Sequence, residues 1–256
     1  METVRNKIVF ITGASSGIGL SCARLFAENG AKIIVAARRV DRLEALAKQV
    51  KKKYKTNILV IKLDVRKQKE VEKTVRDFPK KWREIDILIN NAGLSRGLDK
   101  LHEGKIIDWE EMIDTNIKGL LYVSRAVIPL MVKRNSGHVI NIGSIAGHEV
   151  YPKGNVYCAT KHAVEAITKG MRLDLNGTAV KVTTIDPGLV ETEFSLVRYR
   201  GDNEKAQVVY NGITALTGDD IAEAVLFAAT RSKKVVVAEM MVLPLDQAST
   251  NFVFRR

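Results

Sequence analysis

A chain of 256 residues, 46% hydrophobic and 27% charged, has the balance of a globular protein large enough to bury its core without a metal or disulfide staple. Its two cysteines, Cys22 and Cys158, are far apart and form no C-x-x-C pair, which excludes a dithiol or zinc motif and fits a reduced, cytoplasmic setting. The formal charge of +12 is spread over the whole chain among acids, which suits an enzyme of small anions better than a nucleic-acid binder, and neither a signal peptide nor an apolar run of the ~20 residues a membrane span needs is present.

Short apolar runs alternate with longer amphipathic ones. Residues 7–12 read as a strand, followed by a glycine turn and a helix to about Asn29, with Gly30 as its stop. A strand at 32–37, a helix at 42–54 and a strand at 57–63 follow, the last running into Asp64-Val65. A helix is expected at 67–82, a strand at 85–89 ending in Asn90-Asn91-Ala92-Gly93, and one long helix at 108–133. The strand 138–142 ends at Gly143-Ser144, the helix 155–175 comes next, and the strand 181–185 ends at Asp186-Pro187-Gly188. Thr217-Gly218-Asp219-Asp220 reads as a capping box before another helix, and 235–242 as the last strand. The strands are apolar throughout rather than alternating, as in a parallel sheet covered on both faces, so the expected fold is one doubly wound α/β domain over residues 1–256. The polar stretch 191–216 is a candidate lid over an active site.

Gly13-Ala14-Ser15-Ser16-Gly17-Ile18-Gly19 lies between the first strand and the first helix. Glycine there lets the backbone turn and approach a pyrophosphate, and the helix N-terminus adds free amides and partial positive charge. At the end of the second strand an acid would hold a ribose 2′-hydroxyl; here Arg38 and Arg39 stand instead, which favours the 2′-phosphate of NADP over NAD. Asp64 and Val65 are candidates for the adenine edge. Tyr157 and Lys161 are four apart on a predicted helix and share a face. An ammonium lowers the proton affinity of a nearby phenol, so the pair can act as general acid and base, and Ser144 at the carboxyl edge of the sheet can bond the reacting oxygen.

Thr12-Gly13-x-x-x-Gly17-x-Gly19, Asn90-Asn91-Ala92-Gly93, Ser144, Tyr157-x-x-x-Lys161 and Pro187-Gly188 together resemble the short-chain dehydrogenase/reductases over essentially the whole chain. The resemblance implies a Rossmann-type domain with a seven-stranded sheet and a catalytic tetrad of Asn116, Ser144, Tyr157 and Lys161, in which Asn116 holds a proton-relaying water. It also implies cofactor contacts from Gly13, Ser15, Ser16, Gly17, Ile18, Gly19, Asn90, Asn91, Ala92, Gly93, Tyr157, Lys161, Pro187, Gly188, Leu189, Val190 and Thr192. Asp114-Thr115-Asn116-Ile117-Lys118-Gly119-Leu120 and Pro187-Gly188-Leu189-Val190-Glu191-Thr192-Glu193-Phe194-Ser195 narrow it to the NADP-dependent 3-hydroxy acid dehydrogenases, which include enzymes of serine and L-allo-threonine. That subgroup implies a homotetramer. Arg198 and Arg200 in the lid, with Lys153 and His148 behind them, are the candidates for a substrate carboxylate. No metal is expected, because the histidines show no ligand spacing. A carbonyl reductase of bulky ketones and a non-catalytic NADP sensor are the rival readings.

Overall fold

The structure is a computed structural model and describes residues 2–256. Seven parallel strands form one sheet in the order β3-β2-β1-β4-β5-β6-β7. The strands are β1 Ile8–Thr12, β2 Lys32–Ala37, β3 Ile58–Lys62, β4 Ile85–Asn90, β5 Gly137–Ile142, β6 Val180–Pro187 and β7 Glu239–Val242. Crossover helices cover both faces, as parallel neighbours require. They are α1 Gly17–Glu28, α2 Val40–Tyr54, α3 Gln68–Arg76, α4 Ile106–Ile113, α5 Leu120–Arg134, α6 Asn155–Asp174, α7 Phe194–Arg198, α8 Asn203–Val208 and α9 Gly218–Ala229.

The pleat divides each apolar strand between two cores. Val9 and Ile11 of β1, with Ile33 and Val35 of β2, pack under Phe26 of α1, Leu43 and Leu46 of α2 and Ile221 and Val225 of α9. Phe10 and Ile34 point the other way, onto Val71 and Val75 of α3 and Val123, Val127 and Met131 of α5. Strand order reverses at β1, which lies between β2 and β4, so the crevice for a ligand opens at its carboxyl end.

Most element positions agree with the sequence reading; the departures have local causes. The helix expected at 67–82 stops at Arg76, because Pro79 cannot continue it, and a separate 3-10 turn covers Lys80–Trp82. The helix expected at 108–133 is interrupted by a π turn at Asp114–Gly119. The last strand is only Glu239–Val242, and β6 runs on through Asp186 and Pro187. The candidate lid carries α7 and α8 rather than irregular chain. The capping box is present in full: Thr217 Oγ1 accepts from the Asp220 amide, and the Asp220 carboxylate accepts from the Thr217 amide.

Candidate active site

One cleft of about 810 Å³ runs along the carboxyl edge of the sheet. Its floor at one end is the β1–α1 turn. Gly13 has φ +66, and a Cβ on it would fall 2.8 Å from Ala92 Cα, so only glycine lets the two strand ends come this close. Ser16 precedes α1 without capping it through its side chain, and no acid lies in the first helical turn. The helix N-terminus is thus an open anion site. Gly13, Ser15, Ser16, Gly17 and Ile18 line the cleft, as do Asn91, Ala92 and Gly93 from β4 and Pro187, Gly188, Leu189, Val190 and Thr192 from β6.

Two expected cofactor residues act beneath the surface instead. Gly19 packs α1 onto its own turn: a Cβ there would lie 2.7 Å from Gly13 O and 2.4 Å from Asn91 Nδ2. Asn90 is buried, and its amide nitrogen donates to Ser124 Oγ and Asn141 Oδ1 at 2.9 Å each. Neither lines the cleft.

Seven arginines line this cleft, and their partners sort them. Arg39 binds Ser15 and Ser16 and pairs with Glu193 at 2.8 Å, and Arg42 pairs with the same carboxylate. Arg66 chelates Asp64, Arg96 pairs with Glu111, and Arg200 pairs with the buried Asp108. Of these seven, only Arg38 and Arg198 have no carboxylate of a described residue within 4.0 Å. Arg38 is exposed at the end of β2, beside Asp64 and Arg39. Asp64 and Val65 both line the cleft, and Arg66 holds the Asp64 carboxyl below its ordinary range.

At the other end Tyr157 and Lys161 stand one turn apart on α6, the Lys161 Nζ 6.0 Å from the centre of the phenol ring. Burial pushes the Tyr157 phenol up; the Arg198 guanidinium and the Ser144 hydroxyl pull it back down. Burial also depresses Lys161 to about 8, against the attraction of Asp186 and Glu165. The Lys161 ammonium donates to Ile142 O at 3.0 Å. Ser144 stands at the end of β5, its Oγ accepting from the Ala146 amide and donating to Pro187 O at 3.4 Å.

Asn116 is buried in the π turn, where the backbone ladder is locally widened. Oδ1 accepts from the Leu94 amide at 2.9 Å, and Nδ2 donates to Leu94 O at 2.8 Å and Thr160 Oγ1 at 3.0 Å. Both N–H bonds are used and one carbonyl lone pair is left. Gly93 keeps the ground beside it clear: a Cβ there would lie 3.3 Å from Asn116 Oδ1 and 3.9 Å from Lys161 Nζ.

Arg198 ends α7 and reaches back over this centre. It donates to Ser95 Oγ at 3.0 Å and Tyr151 Oη at 2.8 Å, and its guanidinium lies 5.3 Å from the centres of both the Tyr157 and Phe194 rings. The other carboxylate-binding candidates fare differently. Arg200 reaches the cleft wall but is committed to Asp108. Lys153 is exposed, at φ +64 in the turn before α6, and borders a separate small cavity. His148 does not line the cleft, because its ring is drawn between the Asp186 and Glu239 carboxylates. Sequence reasoning missed Arg42, Ser95, Tyr151 and Phe194. Arg42 had a signal, lying one turn past Arg38 and Arg39; Phe194 stood inside the Pro187–Ser195 run, at the start of α7, and Ser95 and Tyr151 come from loops with no motif.

A family model for the short chain dehydrogenase matches residues 7–202. The chain is 50% identical over 242 residues to an NADP-dependent 3-hydroxy acid dehydrogenase of Salmonella typhi, covering 94% of this chain and 96% of that one. It is 44% identical over 257 residues to an NADP-dependent 3-hydroxy acid dehydrogenase of Schizosaccharomyces pombe, covering 100% and 99%. The closed form of a serine dehydrogenase complexed with NADP+ superposes with a TM-score of 0.91 at 44% identity, over 97% of this chain and 99% of that one.

Proposed function

The chain belongs to the short chain dehydrogenase family, and from that premise we propose that it transfers hydride between NADP(H) and a small 3-hydroxy acid or its 3-oxo partner, such as serine, L-allo-threonine, 3-hydroxyisobutyrate or malonic semialdehyde. The observation that carries the substrate class is Arg198: a guanidinium beside the Tyr157 ring, held in place by Ser95 and Tyr151, with no protein carboxylate to neutralise it. A charge-assisted bond of this kind contributes about 1.5–3 kcal/mol. A reductase of bulky ketones would want an open apolar wall where this cation stands.

The residues present fit NADP. The uncapped α1 N-terminus and Gly13 suit a pyrophosphate, and Arg38, with Arg39 and Arg42 close by, suits a 2′-phosphate. Bound NADP+ supplies the acceptor for the hydride that leaves the substrate's hydroxyl-bearing carbon. Ser144 and Tyr157 bond the 3-hydroxyl, and Tyr157 as phenolate removes its proton. Lys161 stabilises that phenolate by its charge, and Asn116 fixes the far side of the lysine's surroundings through the Leu94 backbone. Arg198 holds the carboxylate, so the reacting carbon is set by the distance between one cation and one phenol.

We also propose a cytoplasmic homotetramer. Exposed Ile106, Ile107 and Ile113 on α4 and the π turn's edge, Leu121 and Val132 on α5, and Phe252 and Phe254 near the C-terminus give it apolar surface to bury. No helix among the described residues is long and apolar enough to cross a membrane.

The test is a substrate panel followed by NADPH absorbance. L-serine, L-allo-threonine, 3-hydroxyisobutyrate and 3-hydroxypropionate are compared with simple secondary alcohols, each with NADP and NAD. Turnover of at least one hydroxy acid tenfold above every neutral alcohol is expected. Equal rates on alcohols without a carboxylate would overturn the reading.

A further inference from the structure

Behind the catalytic lysine, outside the cleft, four ionisable side chains from four parts of the chain converge. His148 follows the 3-10 turn Ile145–Gly147, Glu165 lies on α6, Asp186 on β6 and Glu239 opens β7. One donor atom from each lies within 4.8 Å of all the others. Asp186 is wholly buried and Glu165 is 4% exposed, whereas the His148 and Glu239 side chains keep 20% and 36% of their surface and leave a way in.

The groups face one another only partly satisfied: burial and the neighbouring Asp186 push the Glu165 carboxyl up, so a proton shared by that pair relieves part of their charge and leaves the rest. His148 Nε2 stands 3.3 Å from Asp186 Oδ2 and 3.9 Å from Glu165 Oε1, and Nδ1 stands 3.7 Å from Glu239 Oε1. Asp186 Oδ2, Glu165 Oε2 and His148 Nε2 are all buried atoms with no hydrogen-bond partner. The other oxygens of the buried pair, Asp186 Oδ1 and Glu165 Oε1, lie 2.8 and 3.1 Å from one hydroxyl, that of Thr184, which has a single proton to donate. The nearby cations do not ligate the three carboxylates: Lys169 lies 3.6 Å from Glu239 on the solvent side, and Lys161, though attracted by Asp186 and Glu165, donates its hydrogen bond to Ile142 O. Carboxylates left only partly compensated at this depth are costly to bury. The backbone makes room for them all the same. A Cβ on Gly143 would fall 1.9 Å from Asp186 Oδ1 and 2.8 Å from Glu165 Oε1.

We propose that His148, Glu165, Asp186 and Glu239 form a binding site for a first-row divalent transition metal ion, of the Zn2+ or Mn2+ class. One imidazole among three carboxylates disfavours Mg2+ and Ca2+, which take oxygen alone, and the lack of sulfur disfavours softer ions. Metal–ligand bonds of about 2.0–2.2 Å allow ligand atoms no more than about 4.3 Å apart. That limit is for ligands opposite one another; in a tetrahedral set the atoms stand about 3.3–3.6 Å apart, so the widest present separation, up to 4.8 Å, closes by roughly 1.2–1.5 Å, a rotamer-scale movement that the two partly exposed side chains, His148 and Glu239, can supply. The ion neutralises the buried acids and ties α6 to β6, β7 and the turn after β5, one helical turn from Lys161. Its function is to clamp the elements that carry the lysine; no chemistry is routed through it.

The experiment uses the full chain, stripped with chelator, dialysed and titrated calorimetrically with ZnCl2 and with MnCl2. Wild type is expected to show one saturable site per chain and a raised melting temperature, while MgCl2 and CaCl2 at the same concentration do neither. His148→Asn and Glu239→Gln are expected to weaken binding at least tenfold while keeping NADPH affinity, which reports that they fold. His102→Asn, at an exposed position, keeps the site. No saturable binding by wild type, or undiminished binding in both variants, overturns the proposal.

Discussion

The two ends of the cleft are built by different means. At the end read as the cofactor's, the walls are runs of neighbouring residues at strand ends, Gly13 and Ser15 to Ile18, Asn91 to Gly93 and Pro187 to Val190. At the substrate end the groups are single side chains, Ser95, Tyr151, Arg198 and Phe194, brought together from separate parts of the chain. On the proposed reading, a ligand common to many reactions meets contiguous strand-end residues, and the ligand that distinguishes this enzyme meets side chains drawn from separate parts of the chain. Each end nonetheless has one arginine with no carboxylate of its own, Arg38 at one and Arg198 at the other.

If that division is right, changes at the seam must act on chemistry alone. Tyr157→Phe is expected to lower turnover by roughly 10³-fold, within the range of general acid–base catalysis, and to leave NADPH affinity within about twofold by fluorescence titration. Turnover near wild type would remove the phenol from the mechanism.

Lys161→Met separates function from stability at the same seam. Burial depresses Lys161 from 10.5 to about 8 in the fold. The unfolded chain therefore binds more protons between pH 8 and 10.5, so unfolding free energy climbs through that window and is lowered below it. The variant is expected to be inactive, to gain about 3 kcal/mol at pH 7 and to lose the upward slope between pH 8 and 10.5, read by urea melts. A destabilised variant with the slope intact would mean that the lysine is not charged at a cost.

The two free arginines test the comparison from either end. Arg198→Leu is expected to cut kcat/KM for 3-hydroxy acids by about 100-fold while leaving a neutral secondary alcohol within about twofold. Arg38→Ala is expected to weaken NADPH by about tenfold and NADH by less than about twofold, the smallest effect of the four because Arg39 and Arg42 remain close by. Equal losses on both cofactors would detach Arg38 from the phosphate.

The same contrast explains what the sequence disclosed. The alternation of apolar strands with helices marks a parallel sheet because both faces must be apolar, and glycines at strand ends mark close approaches of backbone. Tyr157, Lys161 and Ser144 were legible because helical spacing and strand ends place them. His148 and Lys153, expected near a substrate carboxylate, do not line the cleft, since a charged residue near a site in sequence says nothing about which side of the loop it leaves by. Asn90 sits in a run of cofactor-lining residues, but the pleat turns it inward to Ser124 and Asn141 while Asn91 stays at the surface. Ser95 and Tyr151 had no period, motif or neighbour to betray them.

The π turn at Asp114–Gly119 has a further consequence. It is a slip of phase: one residue more than the helix needs is wound between α4 and α5. Removing a single residue there would let the α-helical ladder run on from α4 into α5, with the i to i−4 bonds of the turn regained. It would also swing Asn116 by roughly 100° about the helix axis, away from Leu94 and Thr160. At this point the chain's most regular conformation and the one it adopts are different states, and the three hydrogen bonds of one carboxamide favour the second.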